Sequence, residues 1–375
     1  MGKLILGFVE KILVLIISQG LVCVCTWKNK NFIVKAEEFP AMFVFGDSLV
    51  DCGNNNYLSS LARSDYLPYG IDFYAGPTGR FSNGKTIIDF LGDLVGLPLL
   101  PPFEDTIIFG RDILKGVNYA SAAAGILDES GRSLGDRFSL SQQVDNFKVT
   151  LSQLKRKMVE RKSEELLRKS LVVMNVGSND YINNFLIPSL YPNTSSRYNA
   201  QDYAHLLINH YTTHVLVLHN LGLRKFLLAA VGPLGCMPNQ IATGVAPPGK
   251  CITYINDMVE IFNKKLLSLV DQLNTNYSKS SAFVFGNTYG VFTDILNRPD
   301  DYGFSETDRG CCGIGRNKGQ ITCLPFAIPC FNRDQYIFWD AYHPTQAFNQ
   351  IVAQRAYTGG LSDCYPMNVK QMAQV

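Results

Sequence analysis

Five histidines occur in this chain of 375 residues. His205, His210, His214 and His219 share one helix-like segment, whereas His343 stands alone near the C-terminus in Phe338-Trp339-Asp340-Ala341-Tyr342-His343-Pro344. Asp340 precedes His343 by three residues, so a turn can bring its carboxylate to one ring nitrogen and leave the other facing a hydroxyl, the arrangement of a general base with its orienting group. The same spacing also suits a plain loop hydrogen bond or a cap on a helix beginning near Thr345, and by itself it leaves these readings open. The serine that such a base could serve is Ser48, directly after an apolar run at 42–45 in the turn Gly46-Asp47-Ser48, a position that an ordinary turn residue fills equally well. The residues there run Gly46-Asp47-Ser48-Leu49-Val50, so the second glycine of a Gly-x-Ser-x-Gly elbow is missing and the α/β-hydrolase fold loses support. His210 and His214 lie four apart, but no Glu follows the first as a zinc-hydrolase helix requires. They read as residues of an ordinary packed or half-exposed helix.

The elements around these residues alternate. Short apolar runs of strand type appear at 42–45, 117–120, 171–176, 226–231 and 282–285, and segments of helical periodicity or composition lie between them at 142–167, 202–221 and 252–277. Alternating strands and helices predict a layered α/β fold with a parallel sheet. Strands of such a sheet are apolar on both faces, so ligands are expected at the loops beyond their carboxyl ends. Those loops are Gly46-Asp47-Ser48, residues 121–125, Gly177-Ser178-Asn179-Asp180 and residues 232–238.

Hydrophobic residues make up 46% of the sequence, enough for one large core, and no repeat or low-complexity linker divides it. A net charge of +2, without a basic block interleaved with aromatics, argues against nucleic acid as a partner. Lys3 and Lys11 precede an apolar run at 12–25, shorter than a bilayer span of about 20 residues, which predicts a secretory signal peptide over 1–25. Cleavage as late as Ala36 is the alternative, followed by a single domain over 37–375 with no stable membrane span. Of the ten cysteines, Cys52, Cys236, Cys251, Cys311, Cys312, Cys323, Cys330 and Cys364 would then enter an oxidising compartment as an even set, and disulfides are expected. The favoured pairings are Cys236 with Cys251 and local pairs within 311–330; that cluster lacks the Cys-x-x-Cys spacing of a zinc site, and no metal is expected. Sequons at Asn193 and Asn276 sit in polar stretches read as surface loops and fit an exported glycoprotein.

The run Phe43-Val44-Phe45-Gly46-Asp47-Ser48-Leu49-Val50-Asp51-Cys52-Gly53-Asn54-Asn55 resembles the opening signature of the plant GDSL esterase/lipase family, within the wider SGNH hydrolases. Further signatures follow in order: Arg80-Phe81-Ser82-Asn83-Gly84-Lys85, Asn118-Tyr119-Ala120-Ser121, Val176-Gly177-Ser178-Asn179-Asp180-Tyr181, Val231-Gly232-Pro233-Leu234-Gly235-Cys236 and Trp339-Asp340-Ala341-Tyr342-His343-Pro344-Thr345. The resemblance spans nearly all of the mature chain. It implies a flavodoxin-like, three-layer α/β/α sandwich in which Ser48 is the nucleophile, Asp340 and His343 complete a triad, and a glycine and an asparagine join the oxyanion hole. Asn179 can offer its side-chain amide, Ser48 its own N–H and Gly125 a backbone N–H, with the N–H of Ala123 as the alternative to Gly125 in Ser121-Ala122-Ala123-Ala124-Gly125; Asn179 also has an ordinary reading as a turn residue. The activity implied is that of a secreted serine esterase or lipase, extracellular or in the cell wall if the source is a plant, acting on a small-molecule or lipid ester without metal or organic cofactor. Short- to medium-chain acyl esters are preferred because no long amphipathic lid is evident. The alternatives are an acyltransferase, an acetylesterase of acylated cell-wall polysaccharide, and a catalytically silent binding module for lipid or glycan.

Overall fold

The computed structural model describes residues 37–278 and 280–375. The apolar run assigned to a signal peptide, and its cleavage candidates, lie outside the described residues.

Eight strands follow in chain order: β1 Met42–Gly46, β2 Gly116–Asn118, β3 Leu171–Asn175, β4 Lys225–Ala229, β5 Ala282–Gly286, β6 Glu306–Gly310, β7 Tyr336–Phe338 and β8 Cys364–Tyr365. Six form one sheet in the order β2-β1-β3-β4-β5-β8, parallel except for β8, while β6 and β7 pair separately. Every residue of β1 to β5 is buried, which is why their sequences read as largely apolar runs, with Lys225 at the start of β4 and Asn118 and Asn175 at the ends of β2 and β3 as the polar exceptions. The side chains of Phe43 and Phe45 meet Phe147 of the helix Leu140–Lys157 on one face. The register pairs Phe43 with Val172, so Val173 faces the opposite side, where it lines a small cavity together with residues of the helices Ile87–Val95 and Gln346–Thr358. The helices Ala200–Asn220 and Thr253–Tyr277 pack on each other in the layer that carries Leu140–Lys157. The architecture is the expected three-layer α/β/α sandwich with a flavodoxin-like strand order.

Element boundaries differ from expectation in a few places. The helical segment at 142–167 is two helices, Leu140–Lys157 and Glu160–Lys169, because Met158 leaves the helical path in an extended conformation and packs against the core. The second strand ends at Asn118, yet the chain keeps its course beside β1: Tyr119 N–H donates to Val44 O and Ser121 N–H to Gly46 O. Three disulfides occur among the described residues, Cys236–Cys251, Cys311–Cys330 and Cys312–Cys323, as favoured. The expectation that all eight cysteines pair is corrected: Cys52 and Cys364 are buried thiols, one against the carbonyl of Leu100 and the other against that of Ala356. The sequon asparagines are exposed, but at helix ends instead of in loops, Asn193 in Pro192–Arg197 and Asn276 in Thr253–Tyr277.

Candidate active site

β1 has β2 on one side and β3 on the other, so the chain connections diverge at this strand and a crevice opens beyond its carboxyl end. Gly46, its last residue, passes so close to β3 that a Cβ would lie 2.4 Å from the carbonyl oxygen of Asn175. Its N–H and C=O are both bound by the Gln143 side-chain amide, which ties the strand end to the helix behind it. The chain then turns, with Asp47 Oδ1 accepting from the N–H of Leu49, and leaves Ser48 partly exposed at the crevice.

His343 reaches the same point from the far end of the sequence. Its Nε2 lies 2.7 Å from Ser48 Oγ and its Nδ1 lies 2.9 and 2.8 Å from the two carboxylate oxygens of Asp340. Asp340 Oδ1 also accepts from the backbone N–H groups of Tyr342 and His343, so the Asp-x-x-His turn closes on its own side chain. Thr345 caps the helix Gln346–Thr358, so the cap falls to Thr345 while Asp340 holds the imidazole. Phe81 packs on the imidazole with ring centroids 4.8 Å apart, and Ser82 donates to the carbonyl of Pro344. Burial raises the Asp340 pKa, but the adjoining His343 ring and hydrogen bonds from His343 and Tyr69 outweigh it and hold the carboxyl below its ordinary value.

Two further loops close the crevice. After β2, Ser121 O accepts from the N–H of Ala124, and Ala123 lies in the left-handed region at φ 67°, the third position of a tight turn. Ala123, Ser48, Asn179 and His343 all line one cavity of about 420 Å³. Gly125 does not line it: this residue backs onto Asp180, where an added Cβ would come within 2.7 Å of a carboxylate oxygen. The N–H groups of Ser48 and Ala123 donate to no acceptor among the described residues. Asn179 gives one amide hydrogen to Ala124 O and accepts from Asn183, which leaves its second N–H available. The remaining cavity wall is largely apolar, with Leu49, Ile87, Ile182, Met237, Phe292 and Phe348 among its residues.

Several supporting residues were not singled out as site residues from the sequence. Tyr69 is wholly buried and donates to Asp340 Oδ2 at 2.5 Å, from 271 residues away. Asp180 was visible only as part of a signature; its carboxylate accepts from Ile126 N–H, Leu127 N–H and Ser130 O–H, which fixes the loop that presents Ala123. Asn55 and Asp51 likewise accept from the N–H of Ala122. Burial pushes Asp47 up to about 7 and Asp51 and Asp180 up to about 6, against the N–H donors each holds. His219, on the helix Ala200–Asn220, bonds to Ser281 and does not line this cavity. Among the described residues no cluster of three or more His, Cys, Asp or Glu is arranged to hold a metal, and no helix is long and apolar enough to cross a membrane.

Comparison with known proteins agrees with this geometry. Residues 42–356 match the model of the GDSL-like lipase/acylhydrolase family. Three proteins of Arabidopsis thaliana, each named a GDSL esterase/lipase, are similar to the chain. One is 59% identical over 340 residues, covering 90% of this chain and 88% of its own. The others are 56% identical over 333 residues (89% and 88%) and 49% identical over 349 residues (92% and 94%).

Proposed function

The chain belongs to the GDSL-like lipase/acylhydrolase family and is a serine hydrolase, and from that premise we propose that it cleaves carboxylic esters through an acyl-enzyme on Ser48. The observation that carries this reading is the continuous line from Ser48 Oγ through both ring nitrogens of His343 to Asp340, opening on an apolar cavity. Ser48 Oγ attacks the ester carbonyl as His343 Nε2 takes its proton. His343 returns that proton to the departing alcohol, and water repeats the sequence to release the acid. Asp340 stays ionised and stabilises the imidazolium. The negative charge that develops on the carbonyl oxygen is met by the N–H of Ser48, the N–H of Ala123 and the free amide hydrogen of Asn179, each worth about 3–4 kcal/mol in the transition state. Ala123 replaces Gly125 as the backbone donor because it lines the cavity and its N–H is unengaged.

The apolar wall supports an acyl chain as the group that fills the cavity, in preference to the sugar of an acetylated polysaccharide. Each buried methylene is worth about 0.8 kcal/mol, so kcat/KM on p-nitrophenyl esters should rise several-fold per methylene from acetate until the cavity is full, with acetylated xylan a poor substrate. Highest activity on acetate and acetylated xylan would reverse this preference. Ser48→Ala should lower turnover by roughly 10⁴-fold or more; undiminished activity would refute the nucleophile. Products formed with and without an acceptor alcohol separate hydrolysis from acyl transfer. The three disulfides and the exposed Asn193 and Asn276 support export to an oxidising compartment, which a mass shift on endoglycosidase treatment of the protein from its native host would test.

A further inference from the structure

Residues 320–332 read Gln320-Ile321-Thr322-Cys323-Leu324-Pro325-Phe326-Ala327-Ile328-Pro329-Cys330-Phe331-Asn332, thirteen positions without a charge. The disulfides Cys311–Cys330 and Cys312–Cys323 staple this loop at both ends, and Phe326 N–H donates to Leu67 O at 2.9 Å. A loop so constrained could turn its large side chains inward, yet Phe326, Ile328 and Phe331 are 89%, 88% and 95% exposed. Single exposed apolar residues are ordinary, but three on one braced loop form a feature that marks an interaction surface. The backbone supports the same conclusion. Phe326 sits at φ 62°, in the left-handed region where a bulky side chain is an outlier and Gly or Asn would be comfortable. Strain of this kind collects where the presented side chain has a use.

The loop runs into the mouth of the cavity, because its Gln320, Ile321 and Thr322 line it and Ile321 is exposed; Leu61, from the segment after β1, is a second exposed apolar residue of that lining. We propose that the loop docks the enzyme on an uncharged or zwitterionic lipid surface, with Phe326, Ile328 and Phe331 inserted among the acyl chains and the cavity mouth turned toward the lipid. An ester could then pass from the lipid phase to Ser48 without its chain crossing water. The proposal rests on the reading of the cavity as an acyl site and adds that the substrate is presented by an aggregate. A protein partner would need roughly 800 Å² per side with hydrogen-bonding groups at its rim, whereas this loop of thirteen residues presents exposed apolar side chains and no charge. A glycan would need polar partners that these side chains lack. Lipid asks only for apolar surface without charge.

The test uses Ser48→Ala protein, so that lipid is not consumed and the outcome is independent of catalysis. Phe326→Trp in that background should shift its fluorescence to the blue when phosphatidylcholine vesicles are added. The same titration of Ser48→Ala protein that keeps Phe326 sets the baseline, because Trp27, beside the apolar N-terminal run, and Trp339 also fluoresce. In the catalytically competent chain, the triple variant Phe326→Asn, Ile328→Ser, Phe331→Ser should lose at least tenfold in rate on emulsified long-chain esters and stay within twofold of the parent on dissolved p-nitrophenyl acetate. Its melting temperature should not fall, since all three side chains are exposed and Asn relieves the strain at 326. No blue shift, or equal loss on emulsified and dissolved esters, would overturn the proposal. So would a blue shift that appears only on self-association without vesicles, which would assign the face to protein contact. Failure of dissolved ester hydrolysis in the parent would instead strike the catalytic reading.

Discussion

Tyr69 shows how much of a catalytic site can rest on a residue that hydrogen-bonds to neither Ser48 nor His343. Its hydroxyl donates to Asp340 Oδ2 and lies 3.3 Å from Thr322 Oγ1, and its ring packs edge-on against Trp339 and Phe81. Burial and the neighbouring carboxylate push its pKa well above the ordinary value, so it remains a proton donor throughout the working range. Removing this donor in Tyr69→Phe leaves Asp340 less solvated and more strongly attracted to a proton on His343. Because the imidazolium is then favoured, the acid limb of the kcat/KM profile should move to higher pH. The variant also loses the hydrogen bond, worth about 1.5–3 kcal/mol, that aligns Asp340 Oδ2 with His343 Nδ1, and the misaligned pair should lower kcat by roughly tenfold with KM nearly unchanged. A residue that only filled space would lower the melting temperature and leave the acid limb in place, and that result would remove Tyr69 from the positioning role.

At the scale of elements, the signatures turn out to join loops to one another. Asn54 donates to the carbonyls of Asn118 and Ala120, Asn55 accepts from Ser121 and Ala122, and Asp180 gathers the N–H groups of Ile126 and Leu127. Arg80 binds Asp89 through two hydrogen bonds while Asp89 also closes the capping box of the helix Ile87–Val95, all of it buried. Arg80→Ala would strand the Asp89 carboxylate and should cost about 3–5 kcal/mol in urea unfolding. Arg80→Lys should recover little of that, because an ammonium cannot bind both oxygens in the same plane; a loss below about 1 kcal/mol in the alanine variant would show that water reaches Asp89. These roles explain what could be read in advance. β1 to β5 are buried on both faces, so an apolar run was sufficient to locate them, and Asp340 and His343 lie within one turn of each other. Tyr69 and Asp340 meet only through the fold. The choice between Ala123 and Gly125 depended on which residue turns toward the cavity, for which a glycine is no marker when Ala123 itself takes φ 67°. Cys52 and Cys364 could not be read as unpaired, because pairing depends on distance in space.

For the whole molecule, a net charge of only +2 makes long-range repulsion small, which leaves the pH dependence of stability to individual buried carboxyls. Asp47 is the strongest case: burial pushes its pKa up to about 7, and Oδ2 has no hydrogen-bond partner among the described residues. A carboxyl whose folded pKa is raised favours the folded state in its protonated form. Its contribution is complete below the unfolded pKa and is lost as pH rises through about 7. A tenfold change in proton affinity is worth about 1.4 kcal/mol, so stability should fall by roughly 2–4 kcal/mol between about pH 5 and pH 8. Asp51 and Asp180, raised to about 6, act in the same direction, though N–H donors already hold their oxygens. Asp340 has the opposite sign, because its lowered pKa gives stability that disappears as pH falls below the ordinary carboxylate range. The two signs together place maximum stability in weakly acidic solution. Asp47→Asn, neutral at every pH, should flatten the decline between about pH 5 and pH 8 in urea unfolding with the disulfides intact. An unchanged slope would mean that Asp47 is already ionised in the folded protein in weakly acidic solution and that another group carries the dependence.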